Sequence, residues 1–86
     1  IGNSIGDAGA EALAGALRVN AVLTFLRLDN NNISDAGASA LGNALRVNAV
    51  LTFLNLLNNS INENGKKQLR DAVQGRQGFS WGFFGL

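Results

Sequence analysis

Residues 23–50 read LTFLRLDNNNISDAGASALGNALRVNAV, and residues 51–78 read LTFLNLLNNSINENGKKQLRDAVQGRQG. The two segments align without a gap at an offset of 28 residues and share 11 identical residues. Residues 1–22 align with residues 29–50 at the same offset and agree at 15 of 22 positions. Repetition at a fixed period indicates an array of stacked supersecondary units, so the structure of one unit largely decides the fold.

Each unit begins with the pattern of a short strand. In residues 23–50 the spacing is L-x-x-L-x-L-x-x-N-x-I, carried by Leu23, Leu26, Leu28, Asn31 and Ile33. Because side chains alternate along a strand, Leu26 and Leu28 share one face. The asparagine follows where the chain must turn, and its amide can both donate and accept hydrogen bonds there. We therefore expect a structural ladder of Asn3, Asn31 and Asn59.

After Ile33 the spacing of apolar residues changes from two to 3.6, which predicts a helix capped by Ser34 or Asp35. A glycine recurs in the first turn of each predicted helix, where a small residue allows adjacent units to pack closely. These glycines are Gly9, Gly37 and Gly65. The residues expected to face inward are Ala12, Leu13, Ala16 and Leu17, then Ala40, Leu41, Ala44 and Leu45, then Leu69, Ala72 and Val73.

The motif, the helix in every unit and the period resemble the ribonuclease-inhibitor-like subfamily of leucine-rich-repeat proteins, as in NOD-like receptor domains. The resemblance implies an α/β fold, namely a leucine-rich-repeat solenoid forming a horseshoe segment of 28-residue strand-turn-helix repeats. A parallel sheet would line its concave face and helices its convex face. The resemblance covers residues 1–78, with residues 1–22 as a partial repeat and residues 23–50 and 51–78 as full repeats.

The same resemblance implies a protein-protein interaction module, in which the strand residues that point away from the core recognise the partner. Residue 79 lies one period after residue 51, so Trp81 is expected to continue a column of aromatic residues begun by Phe25 and Phe53. Exposed aromatics are frequent at interaction hot spots, although such a column can instead merely shield the sheet. The predicted contact residues are Phe25, Arg27, Asp29, Phe53, Asn55, Leu57, Trp81 and Phe83.

Residues 79–86, FSWGFFGL, form a degenerate strand, because Gly82 stands where an inward leucine is expected and no ladder asparagine follows. Three interpretations remain open for this apolar tail. It can cap the core at the end of the array, insert into a partner, or contact a membrane interface.

The formal net charge of +1 indicates no general attraction to nucleic acid or to an anionic membrane. Lys66, Lys67 and Arg70 form a small basic cluster on the last predicted helix. We interpret it as a solvated helix face, with a docking site for an acidic partner as the alternative.

The sequence contains no His, Cys or Tyr, which removes most general bases, the thiol nucleophile and the usual zinc ligands. The run from Asp29 to Asn32 is rich in oxygen atoms, but Ile33 stands where a calcium-binding loop needs an oxygen ligand. We therefore predict a protein that is not an enzyme, needs no cofactor or metal, and has a protein as its partner.

No cysteine, signal-peptide pattern or apolar run of about 20 residues occurs, so an intracellular location, in the cytoplasm or an organelle, is expected. The chain begins within a unit, at Ile1 rather than at Met, which suggests a fragment. Because about three repeats are needed for a stable solenoid, the alternative function is a structural accessory segment, permanently bound in a larger multi-subunit assembly.

Overall fold

A computed structural model describes residues 5–82 of the chain, in which helices and strands alternate. The helices are α1 (Gly6–Leu17), α2 (Asp35–Val47) and α3 (Glu63–Ala72). The strands are β1 (Phe25–Arg27), β2 (Phe53–Asn55) and β3 (Ser80–Gly82). Within this part of the chain, no helix is long and apolar enough to cross a lipid bilayer.

The strands form one parallel sheet in the order β1-β2-β3, and a helix connects each strand to the next. Phe25 pairs with Phe53, so the register between β1 and β2 equals the 28-residue offset of the sequence. Parallel strands need such a crossover connection. The predicted α/β organisation with a parallel sheet is therefore confirmed.

The core lies between the sheet and the helices. Leu54 and Leu56 point into it from the second full unit and are at most 1% exposed. Burying a side chain of this size stabilises the fold by roughly 1.5–3 kcal/mol. The other large core residues are at most 8% exposed and comprise Leu17, Leu28, Ile33, Leu41, Leu45, Leu51, Ile61 and Leu69.

The buried face of α1 differs from the predicted one. Ala12 and Ala16 are exposed, while Ala10 and Ala14 are buried. Among the described elements α1 packs against one helix, α2, whereas α2 packs against both α1 and α3. A helix with neighbours on two sides buries a wider face, which explains why Ala44, the equivalent of Ala16, is fully buried.

The predicted register of the last strand is wrong by one residue. Phe53 pairs with Ser80, and Leu54 pairs with Trp81, so the offset between β2 and β3 is one residue shorter than the repeat period. Because side chains alternate along a strand, a shift of one residue moves a side chain to the other face of the sheet. Trp81 therefore lies on the core side, and Gly82 lies opposite Asn55 instead of at an inward-leucine position.

The shift has a local cause in the turn that precedes β3. Before β2, the side-chain oxygen of Asn48 accepts hydrogen bonds from two main-chain N–H groups and so shapes the turn. Arg76 occupies the equivalent position, and a guanidinium can donate but cannot accept. The chain instead turns through Gly75 and Gly78, whose φ angles are 83° and 82°. The path into β3 therefore differs from the path into β2.

Candidate functional site

The side of the sheet opposite the helices presents two aromatic rings to solvent. Phe25 and Phe53 stack with their ring centroids 4.3 Å apart and their planes 7° from parallel. Phe25 is 54% exposed, and Phe53 is half-buried. With four neighbouring residues they line a cleft of about 390 Å³. We call this surface the open face; it consists of Phe25, Arg27, Asp29, Phe53, Asn55 and Leu57.

A carboxylate forms part of the lining of this cleft. Asp29 is only 5% exposed, and its Oδ2 accepts a hydrogen bond of 3.2 Å from Nη2 of Arg27. Oδ1 of Asp29 is buried and has no hydrogen-bond partner among the described residues. The hydrogen bond from Arg27 holds the pKa of Asp29 below its usual value, although burial acts in the opposite direction. The cleft is therefore lined by a carboxylate, one oxygen of which is buried and unpaired among the described residues.

The remaining residues of the open face differ in their exposure and in their hydrogen bonding. Asn55 is 5% exposed, and its Oδ1 accepts the main-chain N–H of Leu57 at 2.9 Å, so its oxygen is engaged in the turn. Leu57 itself is 39% exposed. Arg27 keeps 45% of its side chain exposed. Phe83, which the sequence also suggests as a contact residue, lies outside the described residues.

Trp81 does not belong to the open face, contrary to the sequence-based expectation. It is half-buried, packs against the core and makes an edge-to-face contact with Phe79 at 5.0 Å between centroids. Arg76 lies 5.1 Å from the centroid of the Phe79 ring. Trp81 also lines a second cleft of about 380 Å³, next to Val73 and the last turns of α3. For residues 79–82, this packing favours the capping interpretation of the tail.

Asn31 and Asn59 connect the turns of successive units. Oδ1 of Asn59 accepts main-chain N–H groups of Asn31 at 3.0 Å and of Ile33 at 2.8 Å. Its Nδ2 donates to the carbonyl of Leu28 at 2.8 Å. Oδ1 of Asn31 accepts the N–H of Ile5 at 3.3 Å. These amides satisfy main-chain groups within the fold rather than a partner; Asn3 lies outside the described residues.

Part of the chain matches a known protein family. The Leucine Rich repeat family model matches residues 2–14 and 19–42. The match supports a leucine-rich-repeat protein. Among curated proteins, none matches the chain.

Among solved structures, the chain is similar to "Leiomodin-1 Actin-Binding Site 2 (ABS2)", with 25% sequence identity and a TM-score of 0.80. The similarity covers 87% of this chain and 43% of that one. The chain therefore spans less than half the length of the leiomodin structure that it matches.

Sequence reasoning missed a second set of asparagines that recurs with the repeat. Nδ2 of Asn48 donates to the carbonyls of Leu17 at 2.7 Å and Asn20 at 3.1 Å. Asn20, at the equivalent position, accepts the N–H groups of Val22 and Leu23. The signal was available, because R-V-N-A-V occurs unchanged at residues 18–22 and 46–50.

The helix caps also differ from the expected ones. Ser34 occupies the N-cap position of α2 but makes no capping hydrogen bond with its own side chain. Oδ1 of Asp7, in the preceding repeat, accepts the N–H groups of Ser34 at 2.7 Å and Gly37 at 3.1 Å. Oδ1 of Asp35 likewise accepts the N–H of Asn62, the residue before α3, at 2.7 Å. Each carboxylate thus caps the helix of the following repeat, and a recurring acid at residues 7, 35 and 63 was the overlooked signal.

The basic cluster on α3 makes local ion pairs. Nζ of Lys67 lies 2.9 Å from Oδ2 of Asp71, and Nζ of Lys66 lies 3.8 Å from Oε2 of Glu63. Pairs of this spacing are typical of a solvated helix surface. In the part of the chain that the structure describes, no group of three acidic residues is placed to hold a metal ion.

Proposed function

We propose that this chain is a non-catalytic protein-interaction module whose open face contacts the partner. The observation that carries the proposal is the stacked pair of Phe25 and Phe53, with more than half of Phe25 exposed to solvent. Apolar side chains that are solvent-exposed and held rigid by stacking lose little entropy on binding, and aromatic residues are enriched at interfaces.

The proposal also covers the repeat architecture, the cellular compartment and the partner. The chain is a segment of a ribonuclease-inhibitor-like solenoid with a 28-residue repeat, which the register of β1 and β2 supports. It acts inside the cell, in line with the lack of cysteine. The similar leiomodin structure is an actin-binding site by name, so actin is the first partner to test.

The test compares the binding of purified monomeric and filamentous actin to the wild type and to Phe25→Ala, by calorimetry and cosedimentation. Loss of an aromatic anchor should weaken binding by about tenfold or more. Val47→Ala is the matched control, because Val47 is 58% exposed and lies at the end of α2, one of the helices on the other side of the sheet from the open face. Equal losses in both variants would overturn the open face as the contact surface, and no binding by the wild type would remove actin as the partner.

The second candidate, a permanently bound structural segment, is favoured by apolar exposure beside β1. Leu23 is 37% exposed, whereas Leu51, its equivalent in the next repeat, is fully buried. Val19 and Val22 are 85% and 83% exposed. Sedimentation velocity and thermal unfolding over a range of concentrations separate the two functions. A monomer that unfolds cooperatively at every concentration supports the reversible module, and an aggregating or unfolded chain supports the structural segment.

A further inference from the structure

We propose that the open face contains a subsite for a basic side chain of the partner protein, with Asp29 as the anion that receives it. The inference rests on the proposed function and adds the chemistry of the partner: a lysine or arginine that enters the cleft between the aromatic pair and Leu57.

The leucine-rich-repeat scaffold does not require an acid at this position. Asp29 corresponds to Leu57 in the next repeat, and Arg27 corresponds to Asn55. The fold therefore accommodates an apolar residue where Asp29 stands. The carboxylate belongs to the surface that differs between repeats, which is where recognition residues are found.

Among the described residues, Asp29 has a hydrogen-bond partner for only one of its two carboxylate oxygens. Arg27 engages one oxygen, Oδ2, through a single nitrogen, although a guanidinium can bind a carboxylate through two parallel hydrogen bonds. Oδ1 is buried without a donor among the described residues. A buried acceptor that lacks a donor destabilises the protein, and a donor supplied by a partner removes that penalty. Because Oδ1 is closed to solvent, the partner's donor reaches it only when the side chains around it move apart. Lysine and arginine provide N–H donors together with the complementary charge.

The walls of the cleft suit the rest of such a side chain. Phe25 and Phe53 offer an aromatic surface, and Leu57 offers an aliphatic one. Lysine and arginine have long apolar stems that pack along such surfaces while their heads remain charged. A cation next to the exposed ring of Phe25 is further stabilised by the ring quadrupole. The half-exposed Arg27 competes for the same carboxylate, so the incoming cation either shares Asp29 with Arg27 or displaces it.

The probes are three capped tripeptides, Gly-Lys-Gly, Gly-Arg-Gly and Gly-norleucine-Gly, titrated into the isotopically labelled chain while amide chemical shifts are recorded. Norleucine matches the lysine stem without its charge. We expect the two cationic peptides to shift the amides of the open face and to bind about fivefold tighter than the norleucine peptide. Comparing the lysine and arginine peptides shows which cation the cleft prefers.

Variants assign the effect to one carboxylate. Asp29→Asn should abolish the preference for the cationic peptides. If that variant folds poorly, Asp29→Leu, which introduces the residue found at the equivalent position of the next repeat, replaces it and should abolish the preference as well. Arg27→Asn should strengthen cationic binding because it removes the competing guanidinium. The control is Asp71→Asn, an exposed carboxylate on α3 that is paired with Lys67 and lies outside the open face.

Four results overturn the inference: no peptide binds, the norleucine peptide binds as tightly, folded Asp29 variants keep the preference, or Asp71→Asn loses it equally. Equal binding of all three peptides at the open face would remove the Asp29 subsite and leave the interaction module standing. Failure of actin to bind would leave the peptide preference intact, so the two failures are distinguishable.

Discussion

Asn48 donates a hydrogen bond of 2.7 Å from its side-chain nitrogen to the main-chain carbonyl of Leu17, at the end of the helix in the preceding repeat. Its side-chain oxygen accepts the N–H groups of Val50 and Leu51 at 2.9 and 2.8 Å. Asn48 is 4% exposed, so water cannot readily take over these roles. One buried amide thus connects the end of α1 to the turn that leads into β2.

Replacing Asn48 with alanine should therefore be costly. The variant leaves a buried carbonyl and two N–H groups without partners, and the free energy of unfolding should fall by about 2–3 kcal/mol. Urea denaturation followed by circular dichroism measures the change. Asn20→Ala is the matched control and should lose less than about 1 kcal/mol, because Asn20 and its hydrogen bonds are exposed to water. If both variants lost a similar amount of unfolding free energy, the burial of Asn48 would not explain the cost of removing it.

Alanine should have opposite effects at two helical glycines. A Cβ atom at Gly37 would lie 2.7 Å from Oδ1 of Asp7 and 2.7 Å from Cγ2 of Ile33. We expect Gly37→Ala to reduce the free energy of unfolding by roughly 1–3 kcal/mol, the usual cost of overpacking. At Gly15 nothing lies within 4 Å of the added atom, so Gly15→Ala should stabilise α1 by about 0.5–1 kcal/mol. Thermal unfolding of both variants checks the signs, and stabilisation by Gly37→Ala would show that the repeats are not in close contact there.

The cap that Asp7 supplies should make stability depend on pH. Hydrogen bonds from the hydroxyl and the N–H of Ser34, and then from the N–H of Gly37, lower the pKa of Asp7 from its usual value of 3.8, while burial raises it. A carboxyl with a lower pKa in the folded state stabilises the fold above its unfolded pKa. This contribution disappears as the pH falls through the folded pKa.

Asp7→Asn should therefore flatten the loss of stability in acid. We expect the free energy of unfolding of the wild type to decrease more steeply than that of the variant below about pH 4. Urea denaturation at a series of pH values measures both curves. Ser34→Ala is the informative companion, because it removes the largest cause of the pKa shift and should reduce the slope in part. Parallel curves for wild type and Asp7→Asn would count against the cap.

The position of Trp81 gives a spectroscopic prediction. Trp81 pairs with Leu54 on the core side of the sheet and lines a cleft with Val73. Since it is the single tryptophan of the chain, its indole signals are unambiguous. Nuclear Overhauser effects should connect the indole ring to the methyl groups of Val73. Contacts from the indole to the ring of Phe53, with none to Val73, would instead restore the register expected from the sequence, since β3 lies next to β2.

Much of the candidate site could be anticipated from the repeat. Phe25 and Phe53 occupy equivalent positions one period apart, and stacking of identical units places equivalent positions side by side. The same reasoning failed for Trp81, because it assumed that the turn before β3 resembles the turn before β2. Residues 75–78 differ from residues 47–50 at every position. Arg76, where Asn48 would recur, can donate hydrogen bonds but cannot accept those that shape the turn before β2.

The sequence by itself determined the 28-residue period, the order of strand and helix, and the leucines that fill the core. These are properties of residue spacing along the chain, which can be counted without knowing how one unit packs against the next. The tertiary structure alone decided that Asp7 caps the following helix, that Trp81 lies on the core side, and that one oxygen of Asp29 is buried without a partner among the described residues. Each of these depends on how one unit is placed against the next, because a carboxylate or a ring takes its role from atoms far away in the chain.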